Sequence, residues 1–163
     1  MTPAAYLNSL PVAAARAALG RCCGARHWVD AMLAARPFAS DAELLATAER
    51  VCWGLVRVDW LEAFAAHRRI GGRVGAGMGW ARREQAGAAD GAAATLAALA
   101  QGNVTYEERF GHVFLISATG KTADEMLGAL RGRLSNDPAT ELRVAAEEQA
   151  KITRLRLDKL VAS

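Results

Sequence analysis

Pro138-Ala-Thr-Glu-Leu142-Arg-Val-Ala145-Ala-Glu-Glu-Gln149-Ala-Lys-Ile152-Thr-Arg-Leu-Arg156-Leu-Asp-Lys-Leu160 reads as one uninterrupted amphipathic helix, and it decides the fold class. Asp137-Pro138 opens it, because the fixed φ of Pro suits the first helical position. Positions 142, 145, 149, 152, 156 and 160 form one stripe at spacings of three and four and read Leu, Ala, Gln, Ile, Arg, Leu. An arginine is therefore expected within the packing face. A buried charge without a partner is costly. Arg156 is expected to pair with a carboxylate, to border a cavity that receives an anion, or to snorkel with its head in water. Arg154 points to the opposite side and is expected in solvent.

Working outward, the same helical grammar recurs. Ser9 followed by Pro11 suggests an N-cap with Pro in the first turn, opening a helix with Ala14, Ala18 and Leu19 that stops at Gly20. A second helix is expected from Arg26 to Ala35, with Trp28, Met32 and Ala35 on one face, ended by Arg36-Pro37-Phe38 because the residue before Pro leaves helical space. Ser40 with Glu43 is a capping box. The helix it opens runs through Leu44, Leu45, Val51 and Leu55 to Phe64 and is expected to break around Val56 to Asp59. Trp80 to about Gln101 is expected to be helical from its alanine content, with Gly102-Asn103 as the stop. His112 to Ser117 is the one strand-like run; without a partner strand it is expected to be an extended connector or a helix start. Thr122 with Glu125 is another capping box, opening a helix to Leu134. The expectation is all-α: one domain over residues 1–163, a bundle of about seven helices.

Composition supports this. The chain is 52% hydrophobic and that content is dominated by alanine, which favours closely packed helices, and 163 residues suffice for a single core. The net charge is +3, yet acidic residues are interspersed with basic ones through most of the chain. Arg68, Arg69, Arg73, Arg82 and Arg83 form a loose cluster, read as a positive rim for a small anion; a nucleic-acid surface would need a denser stripe with aromatics, so no nucleic-acid partner is expected. Cys22, Cys23 and Cys52 are odd in number and lack CxxC spacing. A disulfide framework is not indicated, and a reducing compartment follows. Cys22, Cys23 and His27 make a poor tetrahedral set, so packing is favoured over metal binding. No signal peptide and no apolar run of about 20 residues is present, so no membrane partner and a cytoplasmic location are expected.

The segment from Ala66 to Gln85 carries candidate chemistry. His67 ends an apolar helix, and glycines at 71, 72, 75, 77 and 79 follow before Trp80, Glu84 and Gln85. Such a loop bends sharply or approaches a ligand closely. His67 gives and takes protons near neutrality, and Glu84 could orient it or share the work. The alternative is a surface histidine whose charge favours its helix C-terminus.

These residues resemble the OHCU decarboxylase family, which acts on 2-oxo-4-hydroxy-4-carboxy-5-ureidoimidazoline in urate degradation. Cys23-Gly24, Trp28, Met32 and Arg36-Pro37-Phe38 carry the likeness first. It continues through His67-Arg-Arg-Ile-Gly-Gly72, Trp80, Glu84-Gln85-Ala86, Asn103, Tyr106, Arg109-Phe110-Gly111, Phe114-Leu115-Ile116, Ala118 and Gly120-Lys121. Glu125-Met126-Leu127, Arg133-Leu134, Asn136, Glu141-Leu142, Lys151-Ile152 and Leu155-Arg156-Leu157 complete it. The likeness implies an all-helical homodimer without metal or organic cofactor, giving (S)-allantoin from a small ureidoimidazoline substrate. It implies His67 and Glu84 as the catalytic pair and Arg156 as the group that holds the substrate. Gln85, Arg68, Ala81 and the backbone N–H groups from Phe110 through Gly111 to His112 are the other implied substrate contacts. Two positions depart from the family pattern. Arg68 stands where Pro usually follows the catalytic His, which implies less backbone restraint at His67, and Ala81 stands where Ser is frequent, which removes a hydroxyl. The alternative function is a non-catalytic helical module of the same fold that binds a ureide or a partner enzyme.

Overall fold

The computed structural model describes residues 1–70 and 89–162. Eight helices and no strand occur among them: α1 (Pro3–Ser9), α2 (Val12–Cys22), α3 (Arg26–Ala35), α4 (Asp41–Gly54), α5 (Arg57–Ala65), α6 (Ala89–Phe110), α7 (Ala123–Arg133) and α8 (Pro138–Asp158). The all-α class is as expected. The helix beyond the expected seven is α1. The chain divides into two compact units, one of Met1–Ala66 with the chain from Ala146 on, the other of His67–Ala145.

In the first unit, two prolines each start a helix. Pro3 occupies the first turn of α1, whose N-cap Thr2 accepts the Ala5 N–H at 3.2 Å. Pro11, rather than the expected Ser9, is the N-cap of α2; Ser9 closes α1, its hydroxyl donating to the Tyr6 carbonyl. Gly20 does not stop α2, which continues to Cys22, because a lone Gly costs only about 1 kcal/mol in a helix. The Arg36 guanidinium donates to the carbonyls of Leu7 (2.7 Å) and Leu10 (2.9 Å), and Asn8 exchanges hydrogen bonds with Phe38, so α1 is stitched to the turn after α3. Trp28 and Met32 are fully buried with Leu19, Leu44 and Leu157, and Trp28 Nε1 donates to the Ala48 carbonyl at 3.1 Å. Ala35, at the frayed end of α3, is exposed. Ser40 caps α4 through the Glu43 N–H. The expected break falls at Leu55 and Val56, where the Asp59 carboxylate accepts the Val56 N–H and starts α5.

In the second unit, α6 and α7 enclose Leu99, Tyr106, Phe114, Met126 and Leu130. The helix expected to end at Gly102-Asn103 continues to Phe110. Asn103 donates its Nδ2 to the Leu99 carbonyl one turn back instead of breaking the ladder, and a Cβ on Gly102 would lie 2.8 Å from Leu130 Cδ2, so this glycine serves close approach to α7. Gly111, with φ of +79°, is the true stop. Residues 112–117 are neither helix nor strand, which fits the connector of the two expected alternatives and not the helix start, and Thr122 caps α7 through the Glu125 N–H.

Along α8 the buried positions include Glu141, Ala145, Gln149, Thr153 and Leu157. Each step of four advances a 3.6-residue helix by a further 40° or so. The buried face therefore swings off the expected stripe, and Arg156 is exposed rather than within the packing face.

Candidate functional site

His67 follows directly on the end of α5. Ala66, the C-cap, donates its N–H to the Ala63 carbonyl, and a Cβ on Gly24 would come 2.7 Å from the Ala66 Cβ. Only a glycine lets the α2–α3 turn approach that closely. His67 lies half-buried in a bend, and Arg68 is exposed. Arg69 Nε then donates to both oxygens of Glu107, at 3.0 and 2.8 Å, and the Ile70 carbonyl accepts from Asn103 Nδ2 at 2.6 Å. The Arg69 guanidinium is held more firmly charged by that hydrogen bond to Glu107 and by its charge.

Phe110, Gly111 and His112 belong to the same unit, and the side chains of Phe110 and His112 pack on Tyr106. The Tyr106 ring meets Phe110, Phe114 and His112 at centroid distances of 4.7, 5.3 and 5.5 Å. Its hydroxyl donates to Glu141 in a short contact. Glu141, which has no exposed surface, also accepts from Arg133 Nε (2.9 Å), Arg133 Nη2 (2.6 Å) and Asn136 Nδ2 (3.1 Å). Arg133 Nη1 donates to the Leu115 carbonyl at 2.8 Å, and its guanidinium lies 4.5 Å above the Phe114 ring. Burial, reinforced by the bond to Glu141, raises the Tyr106 phenol far above its ordinary value, so it remains a donor. His112 is half-buried, its Nδ1–H donating to the Val113 carbonyl at 3.1 Å. The segments after His67 and around Gly111 are thus both fixed to the last two turns of α6, since Gly111 N–H donates to the Glu107 carbonyl.

Arg156 belongs to the first unit, where its Nη1 donates to the Arg21 carbonyl at 3.3 Å. Glu84, Gln85 and Ala81, with the glycine-rich loop and the start of the helix expected from Trp80, lie outside the described residues. A cavity of about 330 Å³ between α4 and the later turns of α8 is lined by Cys52, Trp53, Lys151 and Arg154 among others, and by none of the expected site residues. All three cysteines are free and buried, and burial pushes Cys22 up to about 11 and Cys52 to about 12. No cluster of metal-ligating side chains and no helix long and apolar enough to cross a membrane occurs among the described residues.

Asn103, Arg133 and Glu141 had no role assigned from sequence alone. Helical spacing shows only that Asn103, Tyr106 and Glu107, three and four apart, share one face of α6; what Asn103, Arg133 and Glu141 hold is set by partners distant in sequence.

A helical fold with this arrangement matches one family. The family model for OHCU decarboxylase matches residues 8–158, and the chain belongs to that family. It is 43% identical over 146 residues to the uric acid degradation bifunctional protein TTL of Arabidopsis thaliana, covering 85% of this chain and 45% of that protein. To the 2-oxo-4-hydroxy-4-carboxy-5-ureidoimidazoline decarboxylase of Haloferax volcanii it is 29% identical, covering 83% of this chain and 82% of the relative. The chain thus spans less than half the length of the Arabidopsis relative. Among solved structures, a crystal structure of OHCU decarboxylase in the presence of (S)-allantoin aligns with a TM-score of 0.73 at 38% identity, covering 88% of this chain and 96% of that one. A crystal structure of (S)-allantoin synthase shares the fold, with a TM-score of 0.71 at 22% identity, covering 97% of this chain and 54% of that one.

Proposed function

We propose that this chain decarboxylates 2-oxo-4-hydroxy-4-carboxy-5-ureidoimidazoline to (S)-allantoin without a cofactor, acting as one OHCU decarboxylase domain in a cytoplasmic homodimer. The observation that carries this reading is the family match over residues 8–158, joined to 38% identity with an OHCU decarboxylase crystallised in the presence of (S)-allantoin.

The chemistry demands positioning more than reactive groups. As the carboxylate leaves as CO2, the electron pair of the breaking bond becomes a ring C=C bond to the ureido-bearing carbon, and the imine nitrogen, which receives the displaced pair, takes up a proton, giving a neutral enol. Loss of the enol proton and protonation at the ureido-bearing carbon complete the hydantoin ring. The scissile bond must stand perpendicular to the π-system, and developing charge must meet fixed donors. In this reading His67 manages the hydroxyl proton and Glu84 orients the hydroxyl or ureido group. Arg156 and the N–H groups of Phe110 to His112 hold the ring and ureido oxygens, beside Arg68, Ala81 and Gln85. Protonation on one face gives one enantiomer.

The test is to set binding against turnover. Isothermal titration with (S)-allantoin and ultraviolet decay of freshly generated substrate are measured on one preparation. Accelerated decay with wild-type protein supports the enzyme, whereas product binding with decay at the spontaneous rate supports a non-catalytic ureide-binding module.

A further inference from the structure

Asn103 is 1% exposed, and its amide is only half used. Both Nδ2 hydrogens go to carbonyls, that of Ile70 at 2.6 Å and that of Leu99 at 2.8 Å, which fixes the amide orientation because carbonyls only accept. Its Oδ1 is buried and accepts no hydrogen bond among the described residues. A buried acceptor left unpaired is unfavourable. An apolar residue at 103 would remove that cost but would leave the Ile70 carbonyl without this donor. The residue is therefore explained by what its donors hold. One turn further along the same helix, Glu107 takes Arg69 through both carboxylate oxygens. Two successive residues of the chain just after His67 are thus anchored on one face of α6, one by backbone and one by side chain. Arg68 imposes no restraint of its own on φ, and these two contacts restrain the chain that follows His67.

We propose that Asn103 and Glu107 are positioning residues: they clamp Ile70 and Arg69 and thereby set the aim of the His67 imidazole. This rests on the reading of His67 as the acid/base of the decarboxylation. A proton-transfer group must sit within hydrogen-bond reach of the atom it serves, and displacement by about 1 Å can cost 100-fold in rate. The clamp acts on the chain at His67 and Arg68 and leaves Arg156 and the Phe110–His112 N–H groups in place, so its loss lowers kcat far more than it changes KM.

The chain has three histidines, His27, His67 and His112, so their ring carbon–proton signals can be assigned by single substitutions. The experiment records these signals and steady-state kinetics for wild type, Asn103→Ala and Arg69→Gln. Arg69 is a surface side chain, so its variant folds even where Asn103→Ala does not. The expected result is a shifted His67 ring signal in each folded variant with His27 unmoved, and kcat lower by about 10- to 100-fold with KM within about twofold. An unmoved His67 signal in a folded variant overturns the clamp, as does a KM rise with kcat intact. Wild-type protein that fails to turn substrate over overturns the decarboxylase reading instead, and the ring signals still decide the clamp.

Discussion

Replacing Arg133 by Met tests the buried network on which the Phe110–His112 segment depends. The substitution keeps an unbranched apolar stem and removes the guanidinium from a side chain that is 10% exposed and bonded to a Glu141 side chain with no exposure. Two N–H donors to Glu141, at 2.9 and 2.6 Å, and one to the Leu115 carbonyl at 2.8 Å are lost, with the contact above Phe114 at 4.5 Å. Tyr106 and Asn136 remain on Glu141, so the carboxylate is underpaired rather than naked. Breaking a buried pair from one side costs about 3–5 kcal/mol. At about 2–4 °C per kcal/mol for a chain of this size, that is a fall in Tm of roughly 6–20 °C. Removing both charges together, Arg133→Met with Glu141→Leu, takes away the stranded carboxylate and is expected to recover at least half of the loss. The assay is urea unfolding by circular dichroism on the wild type, both single variants and the double variant. A loss under about 1 kcal/mol for Arg133→Met, or a double variant as unstable as the sum of the singles, would refute the account of this network.

Three further outcomes follow from other parts of the molecule. Gly111→Ala has open space for its Cβ but forces an L residue to φ of +79°, so chemical denaturation should show a loss of about 1–2 kcal/mol; an unchanged midpoint would contradict the strain. Glu62 is held below the usual carboxylate range, first by the Arg26 backbone N–H it accepts at 2.7 Å and then by the Arg26 side chain. A carboxylate whose folded pKa is lowered adds stability above its ordinary value, about 4.3, and that addition fades as pH falls through the lowered one. The Tm of Glu62→Gln should therefore trail wild type at pH 7, with the gap narrowing as pH falls below about 4.3 and closing only below the lowered folded value; a constant gap would contradict this. Burial raises Cys22, Cys23 and Cys52, so native protein at pH 8 should react slowly with a disulfide reagent and denatured protein should release all three thiols at once.

Much of this fold is legible because local signals agree with tertiary need. Ser40 and Thr122 act as caps, Arg26–Ala35 is a helix over its expected span, and 112–117 is a connector, neither helix nor strand. The misses have different causes. Gly102-Asn103 looks like a helix stop because local propensity knows nothing of Leu130 packing onto Gly102 or of the Ile70 carbonyl that Asn103 serves. Thr2-Pro3 carries an N-cap and a first-turn Pro, a helix start legible in the sequence yet absent from the expected helices, while Pro11 rather than Ser9 is the N-cap of α2. Arg156 falls on an apolar stripe drawn at mixed spacings of three and four, whereas the buried residues step by four to Leu157. At the candidate site, His67 is proposed from its side-chain chemistry, and Gly111 enters only through the family resemblance, since the helix stop is expected at Gly102-Asn103. The roles of Asn103, Arg133 and Glu141 depend on long-range partners that no local window contains.

The most direct measurement is the circular dichroism of allantoin formed when urate is oxidised and the first product hydrolysed, with wild-type protein, with His67→Ala and without protein. Rapid growth of the (S)-allantoin signal with wild type alone, and slow racemic product in the other two, is the expected result. An (S)-allantoin signal that survives His67→Ala would contradict the role of His67, and racemic product with wild type would contradict the decarboxylase itself.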